Sequence, residues 1–437
     1  MTQRNTVDLS ALGQALHYGS IIRSPSVQPA LPFSTETLIE AQQRKQRRND
    51  DPPRLLKEGA ELWRNVCLRV VERTEKPLIV PLSAGLDSRA VLAGLRACGA
   101  DVRAVTYGIP GAFDYDLALP VARATGAPID RFDLRKIEVK RADLLSLAKR
   151  SPRPSVLLDM FYNDHIAQYF GDGYTYANGF IGDVLAGKNL GKAGGLSWDE
   201  ARAQLAAWCR LSRTATLTAP GTDPLDALPD APFVSLDLLP AIQQLDYGVR
   251  QQMLVRPIVC PPGFDVVTPF LDPQWCAFML GLPDDIRKNR AFFIELFQYA
   301  FPEVFALPTT ASGGLPLGAD ERAIRHHKKR LKRRRRMRRN LSRILPWVDV
   351  PPANRSWQYL DFRQLLRDRS DFHAMYAQGM QQLDESQHIP WLEATALLDE
   401  HRAGGADHTK ALHALFNISL LLEARPDLFG ITDSARA

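Results

Sequence analysis

The chain has 437 residues, 45% of them apolar, which is ample for a large core and for two or three domain-sized units. Its net charge of +6 is local, because residues 322–339 hold twelve lysines and arginines and no acid, which argues against a general nucleic-acid-binding surface. The sequence has no long apolar stretch, no secretory pattern at its first residues and no CxxC pair. We therefore expect a cytoplasmic protein with neither a membrane span nor a disulfide or zinc framework.

The first half of the chain alternates between helical and extended patterns. Residues 1–52 are polar and interrupted, and we expect an irregular segment there. From Leu55 to Val70 apolar residues recur at helical spacing. The patterns that follow predict, in order, strand 78–82, helix 89–97, strand 102–107, helix 116–125, strand 129–132 and strand 174–178.

This alternation predicts an α/β fold with a doubly wound parallel sheet, since strands joined through helices pair in parallel. From about residue 195 the sequence is mostly helical, with proline-rich joints. We divide the chain into an irregular N-terminal segment, a strand-containing domain, a basic segment and a C-terminal helical part that packs on the strand-containing domain. Their bounds are 1–52, 53–320, 321–345 and 346–437.

The most informative segment is the turn 83–88, Ser-Ala-Gly-Leu-Asp-Ser, between the first strand and the helix after it. Consecutive backbone N–H groups and hydroxyls at a helix N-terminus favour an anion. Asp87 repels a bare phosphate but suits a phosphate that carries Mg²⁺. The turn lacks the Gly-Lys-Ser/Thr of a Walker P-loop, and helix capping by Ser83 or Ser88 is the alternative interpretation.

A second glycine-rich turn, 179–187, follows the strand 174–178 and contains a single acid, Asp183. Glycines on both sides let the backbone fold tightly and present the carboxylate. At the same edge of the sheet, Asp183 can join Asp87 as a second Mg²⁺ ligand on one pyrophosphate. The alternative is a structural turn in which Asp183 caps a helix.

These segments resemble the synthetase domain of the asparagine synthetases, which has the ATP-pyrophosphatase type of fold. The turn 83–88 is similar to that family's SGGxDS pyrophosphate loop, and 179–187 is similar to its GxGxDE loop. Residues 268–272 resemble its PFLD segment, although Asp272 is also suited to cap a helix. Residues 401–422 resemble its C-terminal helix, so the resemblance spans roughly residues 55–425.

The resemblance implies ATP and Mg²⁺ as cofactors of an ATP-dependent ligase. Such an enzyme activates a carboxylate as an acyl-adenylate and then forms an amide with ammonia or an amine. Asp87 and Asp183 would bind the metal and take part in catalysis. The nucleotide would contact both turns and the ends of the first two strands, at Leu82, Ser83, Gly85, Asp87, Ser88, Val105, Tyr107 and Gly182.

Several positions depart from the family pattern. Ala84 replaces the first glycine of the pyrophosphate loop, Phe180 replaces an acid associated with amide formation, and Val184 replaces a glutamate. A family lysine expected beyond the PFLD helix has no clear match; Lys288 and Arg290 are the nearest residues, and we assign Lys288 to catalysis. The resemblance thus supports metal binding and leaves the amide-forming step open.

Full asparagine synthetases carry a glutaminase domain before the pyrophosphate loop, but only 82 residues precede Ser83. We therefore expect nitrogen to come from free ammonia, a partner subunit or an amine on the acceptor. The acceptor itself is expected to be a carboxylate-bearing small molecule, peptide or glycan. The aromatic segment 159–165 and the loop 313–316 are candidates to line or close its pocket, with a buried helix face and an ordinary loop as the alternatives.

The basic run 322–339 contains no acids with which ion pairs on a helix could form. Its main candidate partners are an anionic membrane surface, which would make the protein peripheral at the membrane, and an anionic acceptor. Nucleic acid is a less favoured partner, and a structural or protein-binding role stays open.

Two functions from other classes also stay open. One is a catalytically impaired family member that binds ATP and serves as a scaffold. The other is a tRNA-modifying enzyme of the pyrophosphatase fold, although the paired cysteines of its sulfur-transferring members are absent.

Overall fold

The computed structural model describes residues 7–25, 27–46, 51–190, 195–213, 215, 217–342, 344–345 and 360–431. Across these residues the strands form a five-stranded, all-parallel sheet surrounded by helices, which confirms the α/β class. The strands are β1 (Leu78–Pro81), β2 (Val102–Gly108), β3 (Ile129–Asp133), β4 (Thr175–Ala177) and β5 (Val266–Val267). Their order in the sheet is β3-β2-β1-β4-β5. The first four match the predicted strands, and β5 was not predicted because two residues leave no periodicity to detect.

Seven α-helices precede β4 in the described residues. They are α1 (Leu9–Tyr18), α2 (Thr35–Gln46), α3 (Pro52–Arg73), α4 (Asp87–Ala97), α5 (Phe113–Ala124), α6 (Arg141–Arg150) and α7 (Leu157–Phe170). Of these, α3, α4 and α5 correspond to the predicted helices. α4 begins at Asp87 rather than at residue 89, so the predicted metal ligand lies in the first turn of the helix.

The prediction of an irregular segment over 1–52 was wrong, since α1 and α2 lie within it. α1 begins after Asp8, whose carboxylate accepts the N–H groups of Ser10 and Ala11, and it ends at a left-handed Gly19. Both helices are short, and helices of this length depend on tertiary packing rather than on local propensity. α1 packs in a core that it shares with helices from the far end of the chain.

The rest of the chain is mostly helical, as predicted. The helices are α8 (Gly182–Leu185), α9 (Trp198–Cys209), α10 (Ala241–Leu245), α11 (Arg256–Val259), α12 (Pro273–Leu280), α13 (Asp284–Arg287), α14 (Ala291–Ala300), α15 (Pro302–Phe305), α16 (Glu321–Ser342), α17 (Phe362–Asp368), α18 (Ser370–Ser386), α19 (Ala394–Ala403) and α20 (Thr409–Ala424). A π-helical segment, Asp246–Val255, joins α10 to α11. Within the described ranges, none of these helices combines the length and apolar character needed to cross a bilayer.

Apolar side chains cover both faces of the sheet, as a doubly wound arrangement requires. Leu78 and Val80 point to one face and lie in the main core with α3 and α4. Ile79 points to the other face, where it packs with Tyr176 and with Ile166 of α7.

The C-terminal helices share a second core with α1, α6 and α7. Within this core α20 contacts each of those three helices and also α18. The C-terminal part therefore packs directly on elements next to the sheet. Its predicted first residues, 346–359, lie outside the described part of the structure.

Candidate functional site

The direction of the sheet connections reverses between β1 and β4, and we refer to the space outside the carboxyl ends of these two strands as the crevice. β1 and β4 are neighbours, but the chain leaves β1 toward β2 on one side and later reaches β4 on the other. The connections after the two strands diverge, and ligands of open parallel sheets bind between such carboxyl ends. Both predicted turns lie here, because 83–88 follows β1 and 179–187 follows β4.

The turn 83–88 is closed by its own hydroxyl groups. The N–H of Ser83 donates to Oγ of Ser88 at 3.1 Å, and the N–H of Gly85 donates to Oγ of Ser83 at 3.1 Å. The two hydroxyl oxygens are also 3.1 Å apart. The three residues predicted to hold pyrophosphate thus form one compact unit at the N-terminus of α4, a position that favours anions.

Ala84 is held from both sides by residues that the sequence analysis missed. Its N–H donates to Oδ1 of Asp114 at 2.8 Å. Its carbonyl accepts hydrogen bonds from Oγ1 of Thr309 at 2.7 Å and from the N–H of Thr310 at 3.1 Å. Ala84 has a negative φ, so an alanine at this position causes no backbone strain.

The two turns touch each other through glycines. A Cβ atom at Gly179 would lie 2.8 Å from the backbone nitrogen of Ser88 and 2.9 Å from the carbonyl carbon of Asp87. A Cβ atom at Gly182 would lie 2.7 Å from the ring of Phe270 and 3.0 Å from Cγ of Asp87. Glycine is therefore required at both positions for the turns to approach this closely.

Asp87 and Asp183 are brought together as predicted. The N–H of Asp183 donates to Oδ2 of Asp87 at 3.0 Å. Ile181, two residues earlier, has φ of +67°, which is rare and strained for a β-branched residue. Backbone strain of this kind is concentrated at functional sites.

The electrostatics of the pair favour a bound cation. Burial raises the pKa of Asp87 well above its ordinary value, and the charge of Asp183 raises it further, while Arg290 and Lys188 lower it. Oδ1 of Asp87 is buried and has no hydrogen-bond partner among the described residues. Lys188 forms an ion pair with Asp183. A buried carboxylate with an unsatisfied oxygen is costly, so a cation at this position would stabilise the site.

Two carboxylates suit Mg²⁺ better than a metal that needs a full protein cage. The described residues contain no group of three or more histidines, cysteines, aspartates or glutamates that could hold a metal ion. Mg²⁺ is usually bound by one or two carboxylates together with water and substrate phosphates. Asp87 and Asp183 fit a metal that arrives with a phosphate.

The structure favours Arg290 over Lys288 as the cation beside this pair. Lys288 is exposed, whereas Arg290 is half-buried and its charge acts on Asp87. Asn289 and Arg290 both have positive φ values, 58° and 66°, so the backbone kinks there. The kink is tied to the second turn, because the N–H of Asn289 donates to the carbonyl of Gly187 at 3.2 Å.

The predicted contacts at the strand ends lie beside the crevice. The N–H of Leu82 donates to the carbonyl of Val105 at 2.7 Å, and both side chains are buried in the cores. Tyr107 is half-buried near the end of β2. Recognition of adenine or ribose by these residues would therefore use backbone groups and the Tyr107 side chain.

Two departures from the family pattern lie in the core. Phe180 and Val184 are both buried in the main hydrophobic cluster. No carboxylate is available to the chemistry at either position.

The PFLD-like segment has a structural role. Phe270 stacks on Trp63 with ring centroids 4.6 Å apart. Asp272 caps α12 by accepting the N–H groups of Gln274 and Trp275, as its capping interpretation predicts. The same carboxylate forms an ion pair with Arg69 at 2.7 Å.

The aromatic segment 159–165 lies in α7, where Phe161 and Tyr162 are buried in the second core. The buried helix face therefore accounts for these rings. Asp159 differs from them, because burial raises its pKa to about 6. α7 runs into β4, so its N-terminal end lies toward the same sheet edge as the crevice.

Comparisons with known proteins do not assign the chain to a family. No protein-family model matches the chain, and no curated protein matches its sequence. The chemistry of the site has to be inferred from its own residues.

The buried carboxyl of Asp114 gives a pH-dependent prediction. Burial raises its pKa to about 6, above the value in an unfolded chain, so the folded state binds more protons there. The stability associated with that proton is present at low pH and is lost as pH rises through about 6. Asp114→Asn keeps an acceptor for the N–H of Ala84 and removes the charge. It should stabilise the protein relative to wild type by about 1 to 2 kcal/mol more at pH 7.5 than at pH 5.

Urea unfolding at the two pH values measures this difference. Asp114→Ala, which also removes the acceptor, should cost stability at both pH values because the N–H of Ala84 is left without a partner. A stability difference between Asp114→Asn and wild type that does not change with pH would contradict the assignment.

Proposed function

We propose that this chain binds ATP with Mg²⁺ at the crevice between β1 and β4 and activates a carboxylate as an acyl-adenylate. The observation that carries the proposal is the buried, unpartnered Oδ1 of Asp87 next to Asp183 at the N-terminus of α4. This pair is unfavourable by itself and becomes favourable with a phosphate-bound cation. The resemblance of both turns to the asparagine synthetases supports the same assignment.

Activation is needed because a carboxylate is a poor acyl donor. An oxygen of the substrate carboxylate attacks the α-phosphorus of ATP, a new P–O bond forms, and the bond from that phosphorus to the β-phosphate breaks. Pyrophosphate leaves with the electron pair. Ammonia or an amine then attacks the acyl carbon, loses a proton to a base, and expels AMP.

The chain's own residues favour the departure of pyrophosphate. Ser83, Gly85 and Ser88 lie at the start of α4, where a helix N-terminus favours an anion. The N–H groups of Ser83 and Gly85 donate to hydroxyl oxygens of the same turn and would exchange these bonds for a phosphate oxygen. Asp87 and Asp183 would hold Mg²⁺, which supplies charge neutralisation on the leaving pyrophosphate. These groups stabilise charge that develops during the reaction and are already in position before it begins.

Two cations complete the electrostatic environment. Arg290 acts on Asp87 from the kink before α14, and Lys188 pairs with Asp183. In the proposed complex both cations would interact with phosphate oxygens of the bound nucleotide. Lys188 neutralises Asp183 when no metal is bound, and a metal would free it for the nucleotide.

The second step of the proposed reaction, amide formation, needs a base that accepts the proton of the attacking amine. Phe180 and Val184 exclude the acids of the family loop from this role. Asp159 and Asp114 are buried carboxyls whose pKa values are raised to about 6, which is suitable for a base near neutral pH. We therefore propose a ligase in which the base comes from outside the second turn, with a carboxylate-bearing small molecule, peptide or glycan as acceptor.

Product analysis tests the proposal directly. The full chain is incubated with α-labelled ATP, Mg²⁺, ammonia and panels of carboxylic acids to identify the products, and the exchange of labelled pyrophosphate into ATP is measured separately for each acid. We expect AMP and pyrophosphate as products, and exchange that depends on the acid. ADP and inorganic phosphate as products would refute carboxylate adenylation.

The ion pair between Lys188 and Asp183 favours a second candidate, a nucleotide-binding scaffold without catalysis. Lys188 compensates the acid without any metal, so ATP could bind by its phosphates alone. Calorimetric titration with ATP separates the two functions. A catalytic site requires Mg²⁺ for tight binding, whereas a scaffold of this kind binds equally well in the presence of a chelator.

A further inference from the structure

The basic run forms the long helix α16, Glu321–Ser342. At 1.5 Å per residue, its 22 residues extend over about 33 Å. The helix contains twelve lysines and arginines and one acid, Glu321, which pairs with Arg325 at 3.6 Å. Its first half is anchored on the body of the protein, since a Cβ atom at Gly313 would lie 3.1 Å from Cε of Lys328 and 3.5 Å from Cγ2 of Ile324.

One stripe of α16 is partly covered, and the remaining surface is basic. The half-buried positions recur at helical spacing and are Ile324, His327, Leu331, Arg335 and Arg338. The exposed basic positions on the other sides include Lys329, Arg330, Lys332, Arg333, Arg334 and Arg336. The helix therefore presents a broad cationic surface away from the body.

An apolar patch continues this surface at the end of the helix. Met337, Leu341 and Ile344 are 63%, 45% and 77% exposed. Met337 and Leu341 are one turn apart on one side of α16. Ile344 lies just beyond the end of the helix, where its N–H donates to the carbonyl of Leu341 at 3.0 Å. Exposed apolar side chains next to a dense cationic surface have a poor environment in water and a good one at a membrane, where charge meets headgroups and apolar groups enter the acyl boundary.

We propose that α16 docks the protein on a bilayer that contains anionic lipids. The lysines and arginines would bind the headgroups, and Met337, Leu341 and Ile344 would insert below them. The helix has no Phe, Tyr or Trp on which bases could stack, and a soluble polyanion would leave the apolar patch without a partner. This inference does not depend on the proposed ligase activity.

Co-sedimentation with vesicles tests the docking. The full chain is mixed with vesicles of phosphatidylcholine alone or with about 30% phosphatidylserine. We expect the protein to bind the anionic vesicles at least tenfold more tightly than the neutral ones. Its affinity for the anionic vesicles should fall tenfold or more when salt is raised from about 0.1 M to about 0.5 M. Equal binding to both kinds of vesicle would overturn the proposal.

Two sets of variants separate the charged surface from the apolar patch. Replacing Lys332, Arg333 and Arg336 by glutamine should reduce binding to the level seen with neutral vesicles. Replacing Met337, Leu341 and Ile344 by serine should weaken vesicle binding about tenfold while leaving heparin binding unchanged.

A matched control replaces three comparably exposed apolar residues elsewhere, Leu9, Ile39 and Leu236, by serine and should bind vesicles like wild type. Full vesicle affinity in the Met337, Leu341 and Ile344 variant would show that the patch does not insert and would overturn the proposal. Tighter binding to single-stranded RNA than to anionic vesicles would also overturn it.

Discussion

Asp87→Asn is expected to abolish pyrophosphate release and, at the same time, to stabilise the ligand-free protein. In the proposed site this carboxylate holds the metal, so the rate of AMP formation should fall by a factor of about 10³ or more. The stabilisation arises because the charged form of Asp87 is disfavoured by burial and by Asp183. An amide of the same shape removes both costs.

The pH dependence of this stabilisation has a definite sign. The pKa of Asp87 is higher in the folded protein than in the unfolded chain, so folding binds a proton and wild-type stability falls as pH rises above the unfolded value. The gain in melting temperature for Asp87→Asn should therefore increase from pH 5 to pH 8. Thermal unfolding at both pH values, beside the AMP assay, measures the two effects on the same protein.

Asp130→Asn is the matched control for these measurements. It removes an exposed carboxylate that pairs with Arg103 between β2 and β3. Activity should be unchanged, and stability should change by less than about 0.5 kcal/mol. If Asp87→Asn has wild-type activity, then Asp87 is not a ligand of a catalytic metal.

Gly179→Ala is expected to damage the site by pushing the two turns apart. The added Cβ would meet the backbone of Asp87 and Ser88 at 2.8 to 2.9 Å, and backbone atoms of a helix N-terminus cannot rotate away as a side chain can. We expect a loss of about 1 to 3 kcal/mol in stability. Displacement of the carboxylate pair should also lower the rate of AMP formation about 100-fold.

Gly173→Ala is the matched control, because it makes the same glycine-to-alanine change where the added Cβ atom would meet no neighbouring atom in the described part of the chain. No described residue lies within 4 Å of a Cβ atom at Gly173, and its backbone does not have a positive φ. Urea unfolding and the AMP assay should give wild-type values for Gly173→Ala. If Gly179→Ala behaves in the same way, then the close approach of the turns has no role in the reaction.

The frame of the fold could be predicted because it is encoded locally. Each of the first four strands is an apolar run bounded by turn residues, and α3 has an uninterrupted apolar stripe. The capping role of Asp272 also follows from its neighbours in the sequence. By contrast α1 depends on partners from the second core, and no local pattern reveals them.

The site could be predicted only in part for the same reason. Asp87 and Asp183 were found because each follows a strand, and parallel strands bring their carboxyl ends to one edge. Asp114 and Thr309 reach the site from positions without a motif, and Arg290 was indicated only as a neighbour of Lys288. The position of Arg290 depends on positive φ values at Asn289 and at Arg290 itself. Neither residue type predicts this backbone conformation from the sequence.

The support of Ala84 by Thr309 and Thr310 has a consequence for biosynthesis. These partners lie more than 220 positions beyond the loop that they hold. Arg89, in the next turn of α4, is fully buried and donates to the carbonyls of Val304, Leu307 and Pro308. A nascent chain that has emerged only through β5 therefore has all five described strands of the sheet, but its 83–88 turn lacks the partners that hold it, so we expect the proposed nucleotide site to form late in translation.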